Sequence, residues 1–280
     1  MIRAVDVMLT INNLRVSYRT SRGEVRGLTG VNFICKREKL GIVGESGSGK
    51  TSIGRAIMGL LPHNARLFAD EMRFEDNDLL TCGETVMRSL RGRRMAMIFQ
   101  DPLLALNPVM TIGAQIVESY KIHQGLDVSA SRLNGLRMLR SVHIENPHQM
   151  WSAYPNELSG GMAQRAMIAM MLASGPDLLI ADEPTSALDV ISRQAVLQII
   201  DELVQSQGMG LLFISHDLAL VERFCDRIVV IQNGESVETI KASALRASDH
   251  PYIRALLAAR PRLVAEALPT DHTINTGIAL

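Results

Sequence analysis

Cysteine is scarce and widely spaced. The three present, Cys35, Cys82 and Cys225, lie far apart in a chain of 280 residues, and no two form a C-x-x-C pair. That argues against a cysteine-based zinc site and a disulfide framework, and reads as reduced thiols in a cytosolic protein. Net charge is missing as well: 29 Lys and Arg balance 29 Asp and Glu. No long-range attraction therefore argues for nucleic acid or an anionic membrane as a partner. No apolar run reaches the roughly 18–20 residues of a membrane span, and the densest, Ala166 to Ala173, has only the length of a buried helix. The N-terminus carries Asp6 inside its short apolar stretch and shows no small-residue cleavage site, so export is not expected. Any membrane association must then come through a partner. Internal repeats and low-complexity segments are also absent.

What the chain does have is an ordinary globular composition, 47% apolar and 21% charged, enough for a sizeable core. Its clearest local feature is Gly44-Glu45-Ser46-Gly47-Ser48-Gly49-Lys50-Thr51, a G-x-x-x-x-G-K-[ST] match. It stands directly after the apolar run Leu40-Gly41-Ile42-Val43 and before the helix-like Thr51 to Met58. A strand that ends in a glycine-rich loop and opens a helix aims several backbone N–H groups at one spot, where the helix dipole also favours negative charge. A polyphosphate suits that spot. Gly44, Gly47 and Gly49 leave room for phosphate oxygens, Lys50 can reach the β/γ-phosphates, and the Thr51 hydroxyl can take a Mg²⁺ coordination position.

Around the loop, residues 8–18 and 24–34 alternate apolar and polar positions across Ser21-Arg22-Gly23, which predicts an antiparallel hairpin. Glu71 to Asp78 reads as an exposed strand ending in a turn, and Thr85 to Arg94 as helix-compatible. Met95 to Phe99 is unbroken apolar, as in a strand buried on both faces of a mostly parallel sheet. Apolar spacings of three and four from Ile112 to about Met150 predict a helical insertion. Further strands follow at Leu178–Ala181, Gly210–Ile214 and Arg227–Ile231, separated by helical or turn-like sequence. Strands alternating with helices imply a doubly wound α/β core.

Two more stretches carry chemistry. Asp182-Glu183 closes a four-residue apolar strand, so two carboxylates emerge where a P-loop NTPase holds Mg²⁺ and orients the attacking water. Leu158-Ser159-Gly160-Gly161-Met162 sets a Ser and two glycines ahead of an apolar helix, a second anion-binding helix start. A charged turn and a simple Ser cap are the plain alternatives. Here the sequence resembles the ATPases of ABC transporters, whose signature is LSGGQ; this chain has Met162 at the last position. The motifs fall in the family's order. Tyr18 matches the aromatic that stacks on adenine, Gly44 to Thr51 the Walker A loop, Gln100 the Q-loop, and Ser159, Gly160 and Gly161 the signature. Asp182 and Glu183 match Walker B and its catalytic carboxylate, Asp189 the D-loop and His216 the switch histidine. Phe99 to Pro102, Ala105 to Pro108, Met167 to Met170 and His250 to Leu257 resemble, within the family, the ATPases of dipeptide, oligopeptide and nickel importers.

The resemblance implies an α/β P-loop NTPase: an ABC-type nucleotide-binding domain over residues 1–260, with a mostly parallel core sheet, an antiparallel N-terminal β subdomain and a helical signature subdomain at about 101–172. A tail, 261–280, follows. It implies ATP hydrolysis with Mg²⁺, catalysed by Glu183, His216 and Gln100, with Thr51, Gln100 and Asp182 at the metal. It also implies a head-to-tail dimer with a second, identical or homologous ABC ATPase subunit. Two transmembrane permease subunits and, indirectly, an extracytoplasmic solute-binding protein complete the expected complex, with no nucleic acid. The chain would then sit peripherally on the cytoplasmic face of the inner membrane and drive uptake of peptides or of nickel or a metal chelate. The alternatives are a soluble ABC ATPase of repair or translation, and a P-loop kinase that would have no use for the signature segment.

Overall fold

The computed structural model describes residues 7–186 and 188–259, so the tail expected at 261–280 lies outside the described residues. The chain opens with β1 (Val7–Thr20) and β2 (Gly23–Lys36), an antiparallel pair closed by Thr20 opposite Gly23. Gly23 at φ +115° makes that turn without a Cβ penalty. On the other side of β1 pair β4 (Ala65–Phe68) and β5 (Glu71–Phe74), and β6 (Asn77–Asp78) pairs with β5. The strand expected to be exposed over Glu71–Asp78 is one-faced instead: Met72 and Phe74 are buried, and Glu75 breaks it at φ 49°. Alternation, which puts Arg73 outside and its neighbours inside, explains the difference.

A second set of strands runs parallel in the order β10–β3–β9–β8–β7, with β3 (Lys39–Val43), β7 (Met95–Ile98), β8 (Leu178–Asp182), β9 (Gly210–Ser215) and β10 (Arg227–Gln232). Strand β11 (Glu235–Lys241) returns antiparallel to β10 and meets β2 at Glu235 and Gly30, which joins the two sets. The near-continuous apolar runs have a plain cause. Leu179 and Ala181 of β8 enter one hydrophobic cluster while Leu178 and Ile180 enter another on the opposite face. Phe213 against Ile214 on β9 and Ile98 against Met97 on β7 divide in the same way. Strand β7 ends the row, yet all four of its residues are buried.

The helices are α1 (Lys50–Ile57), α2 (Glu84–Leu90), α3 (Pro102–Ala105), α4 (Ile112–Gln124), α5 (Val128–Ser141), α6 (Pro147–Ser152), α7 (Gly160–Leu172), α8 (Val190–Gln207), α9 (Leu218–Phe224) and α10 (Pro251–Ala258). Short 3₁₀ turns lie at Pro155–Glu157 and Ala242–Ala247. Asp101, Thr111, Asp127, Ser159, Asp189 and Asp217 cap their helices through side-chain oxygens. Helices α4 and α5 close around Trp151, since Gly113 and Gly135 each leave the space a Cβ would fill against the indole. The expected helical stretch from Ile112 to Met150 is thus three helices, and α7 carries its packing on to β7 and α8.

Candidate functional site

Strand register brings the predicted residues together. Val43 of β3 lies opposite Ser215 of β9, Asp182 of β8 opposite Ile214 of β9, and Ala181 of β8 opposite Ile98 of β7. The carboxyl ends of four adjacent parallel strands therefore open at one edge. That edge is where sheets of this kind hold ligands. Out of it come Gly44, Gln100, Glu183 and His216, each within two residues of its strand's end.

The loop 44–51 folds round its own lysine. Lys50 Nζ donates to Gly44 O (2.9 Å), Glu45 O (2.7 Å) and the Ser48 hydroxyl (3.4 Å). Burial pushes its pKa down, while Glu183, Asp182 and Glu45 pull it back up. Gly47 and Gly49 take φ +83° and +94°, a region side chains disfavour. Gly49 stands at the start of α1, so the loop and the helix N-terminus form one anion-receptive surface. Tyr18 is held by its hydroxyl, 2.6 Å from the Ser52 Oγ on α1.

The Thr51 hydroxyl donates to Asp182 Oδ1 at 3.0 Å. Burial raises the Asp182 carboxyl above its usual range, with the Thr51 bond opposing. An adjacent hydroxyl and buried carboxylate are hard oxygen donors, so the pair fits a divalent cation such as Mg²⁺ that takes its remaining ligands from phosphate and water. Among the described residues no cluster of three or more His, Cys, Asp or Glu exists to hold a metal on protein ligands alone. Glu183 adopts φ 46°, uncommon for a residue with a Cβ, and its N–H donates to Ile214 O at 2.9 Å. Its Oε1 lies 2.9 Å from His216 Nδ1. Held strain at a carboxylate facing a phosphate loop is an arrangement found at reactive sites.

Ser159 and Asp189 act in this structure as helix caps. Ser159 caps α7, accepting from Met162 N at 3.4 Å, and Gly161 comes up against Ser192 on α8. Asp189 caps α8 by accepting from the Ile191 and Ser192 amides, both at 3.0 Å, and the Ser192 hydroxyl and amide hold its carboxyl below the usual range. Among the described residues no hydrogen bond joins Ser159, Gly160, Gly161 or Asp189 to the loop 44–51. Gln100 stands exposed after β7. Sequence reasoning missed Tyr252, whose hydroxyl accepts from Glu45 N at 3.3 Å across 207 positions, and Ser52, which holds Tyr18. Adjacency to Thr51 could have suggested Ser52; nothing local points to Tyr252.

Residues 28–186, more than half of the chain, match the ABC transporter family. The chain is 42% identical over 261 residues to the dipeptide transport ATP-binding protein DppD of Escherichia coli, covering 92% of this chain and 80% of that protein. It is 42% identical over 262 residues to the oligopeptide transport ATP-binding protein OppD of Bacillus subtilis, covering 92% and 73%. A solved dimeric, post-hydrolysis structure of the ATP-binding cassette MJ0796 with ADP and Pi aligns with TM-score 0.74 and 25% identity over 84% of this chain and 99% of that one. With the strand-edge geometry and these matches in agreement, the chain belongs to the ABC transporter family as one of its ATP-hydrolysing, ATP-binding proteins.

Proposed function

We propose that the chain powers import of short peptides across the cytoplasmic membrane as a peripheral ATPase subunit. The observation that carries the chemistry is the meeting of Thr51, Asp182, Glu183 and His216 beside the loop 44–51. The names of the relatives favour peptides over nickel or a metal chelate. The nucleotide-binding domain is taken as residues 1–260, with 101–172 as its helical unit.

In this reading Tyr18 stacks on adenine, and the loop amides with Lys50 take the phosphates. Glu183 orients the water and accepts its proton as oxygen attacks the γ-phosphorus and the bond to the ADP oxygen breaks. His216 fixes the Glu183 carboxylate and contacts the γ-phosphate. Thr51, Asp182 and Gln100 would hold Mg²⁺, which supplies charge neutralisation along the phosphates. That Ser159, Gly160, Gly161 and Asp189 make no hydrogen bond to the loop 44–51 among the described residues supports a shared site. A partner subunit, identical or homologous, would present its equivalent segment to this loop, and this chain would present Ser159 to Gly161 in return. Closure then follows ATP binding, and opening follows hydrolysis. Two permease subunits with a solute-binding protein outside the membrane would complete the path; among the described residues no helix is long and apolar enough to cross a membrane.

Labelled-dipeptide uptake tests this. A strain deleted for the chain should lose uptake, regain it with the wild-type chain and fail to regain it with Lys50→Ala. Uptake unchanged by deletion would favour the soluble, non-transport alternative.

A further inference from the structure

The segment His250 to Leu257 forms the cap and body of α10. His250 Nδ1 accepts from Tyr252 N at 3.3 Å, and Pro251 takes the first helical position, where its missing N–H costs nothing. Ile253 is buried in the core, with Leu256 and Leu257 packed against the same cluster. The Ser248 hydroxyl accepts from His250 N at 3.2 Å and donates to Glu238 Oε2 at 2.7 Å, which fastens the start of α10 to β11. A helix anchored at its cap and along its apolar face delivers Tyr252 to the phosphate loop.

There Tyr252 meets a peptide plane that Lys50 also meets. The Tyr252 hydroxyl accepts from Glu45 N at 3.3 Å, and the carbonyl of that same peptide, Gly44 O, accepts from Lys50 Nζ at 2.9 Å. No other hydrogen bond among the described residues holds this peptide. In a trans peptide the N–H and C=O point in opposite directions, so fixing one aims the other. Hydrogen bonds at the two ends of one amide also polarise each other. A flip of this single peptide would turn Gly44 O away from Lys50 and leave the ammonium with Glu45 O and the Ser48 hydroxyl.

We propose that Tyr252 is a positioning residue of the nucleotide site: by holding the Gly44–Glu45 peptide it keeps Gly44 O on Lys50, and so keeps the ammonium placed for an arriving β- or γ-phosphate. The inference rests on the reading of the loop 44–51 as the phosphate cradle and of Lys50 as its cation. Tyr252 acts through the peptide and removes a conformational choice that binding would otherwise have to settle. Once a phosphate holds the ammonium, the peptide's orientation no longer decides where Lys50 sits. The contribution therefore belongs to nucleotide affinity and not to the chemical step.

Tyr252→Phe tests this, because it keeps the ring in its packing and removes only the hydroxyl. Calorimetric titration of the full chain with ADP and with MgATP should show affinity about three- to tenfold weaker, the range for one neutral hydrogen bond, at an unchanged melting temperature. In a Lys50→Ala background the same substitution should add less than about twofold, since the residue it acts through is gone, whereas a merely structural effect would repeat in full. With partner subunits present, the ATP concentration for half-maximal hydrolysis should rise while single-turnover rate at saturating ATP stays within about twofold of wild type. Unchanged ADP and ATP affinity in Tyr252→Phe, the full loss repeated in the Lys50→Ala background, or a fall in the saturated rate with affinity intact overturns the inference. Lys50→Ala that binds both nucleotides as tightly as wild type would sink the cradle reading itself. A weakened Lys50→Ala beside an unchanged Tyr252→Phe would keep that reading and sink only the role of Tyr252.

Discussion

Replacing Glu183 separates catalysis from stability within one residue. Glu183→Gln keeps the shape and the φ of 46°, and its amide can still meet His216, 2.9 Å away in the parent. What it loses is the ability to accept a proton. General-base contributions are typically 10²–10⁴-fold, so kcat should fall by that factor, about 3–5 kcal/mol at roughly 1.4 kcal/mol per tenfold, with ATP affinity little changed. Glu183→Gly makes the complementary test. Removing the Cβ relieves a left-handed conformation worth about 1–2 kcal/mol. Against that stand the added freedom of the unfolded chain, about 0.5–1 kcal/mol, and the loss of a contact to an exposed histidine, about 0–1 kcal/mol. The balance lies near zero, so Tm should move by no more than a few degrees while turnover disappears. Single-turnover hydrolysis with partner subunits present, nucleotide binding and thermal melts measure all three quantities. A Gln variant within tenfold of wild-type kcat would refute the base assignment. A Gly variant destabilised by more than about 2 kcal/mol would refute the strain argument.

At Gly44, a Cβ would collide with the Ile231 carbonyl, so Gly44→Ala should cost more than about 2 kcal/mol in urea unfolding and lower ATP affinity with it. Gly135→Ala places a methyl 2.6 Å from the Trp151 ring, and overpacking of about 1–3 kcal/mol with a shifted indole emission is expected. Burial raises the Cys35 thiol to about 12 from 9.0, and lifts Cys225 as well, so native protein should be alkylated at half-buried Cys82 first. Because the raised value belongs to the folded state, the unfolded chain loses those protons first, and stability should decline as pH climbs from about 9 toward 12.

The gathering of these residues at one strand edge was legible because its parts are short-range patterns. A strand-loop-helix glycine motif, an apolar strand ending in Asp182-Glu183 and a strand ending before His216 each announce themselves within ten residues. Burial on both faces was legible too, since alternating residues of β7, β8 and β9 feed opposite clusters and leave an unbroken apolar run. Positions set by distant chain were not. Tyr252 reaches Glu45 only because α10 returns to the loop, and the one-faced burial of Met72 and Phe74 depends on β5 pairing with β1.

The glycines of the phosphate loop divide by cause once their surroundings are known. Sequence alone assigns all three to phosphate access. Gly44, however, is pressed against the Ile231 carbonyl of β10, and Gly49 against Gly27 and Leu28 of β2. Gly234, just before β11, in turn abuts Gly27 and Leu28. These close approaches tie the loop to both strand sets, and Tyr252 adds a tie from α10. Gly47 alone has open space around its missing Cβ, at φ +83°, and is free to face a ligand. A loop fixed by backbone packing on two sides keeps its amides aimed before any phosphate arrives, so little ordering cost remains for binding. The glycine pattern therefore records a preorganised cradle clamped between two strand sets as much as an anion's need for room.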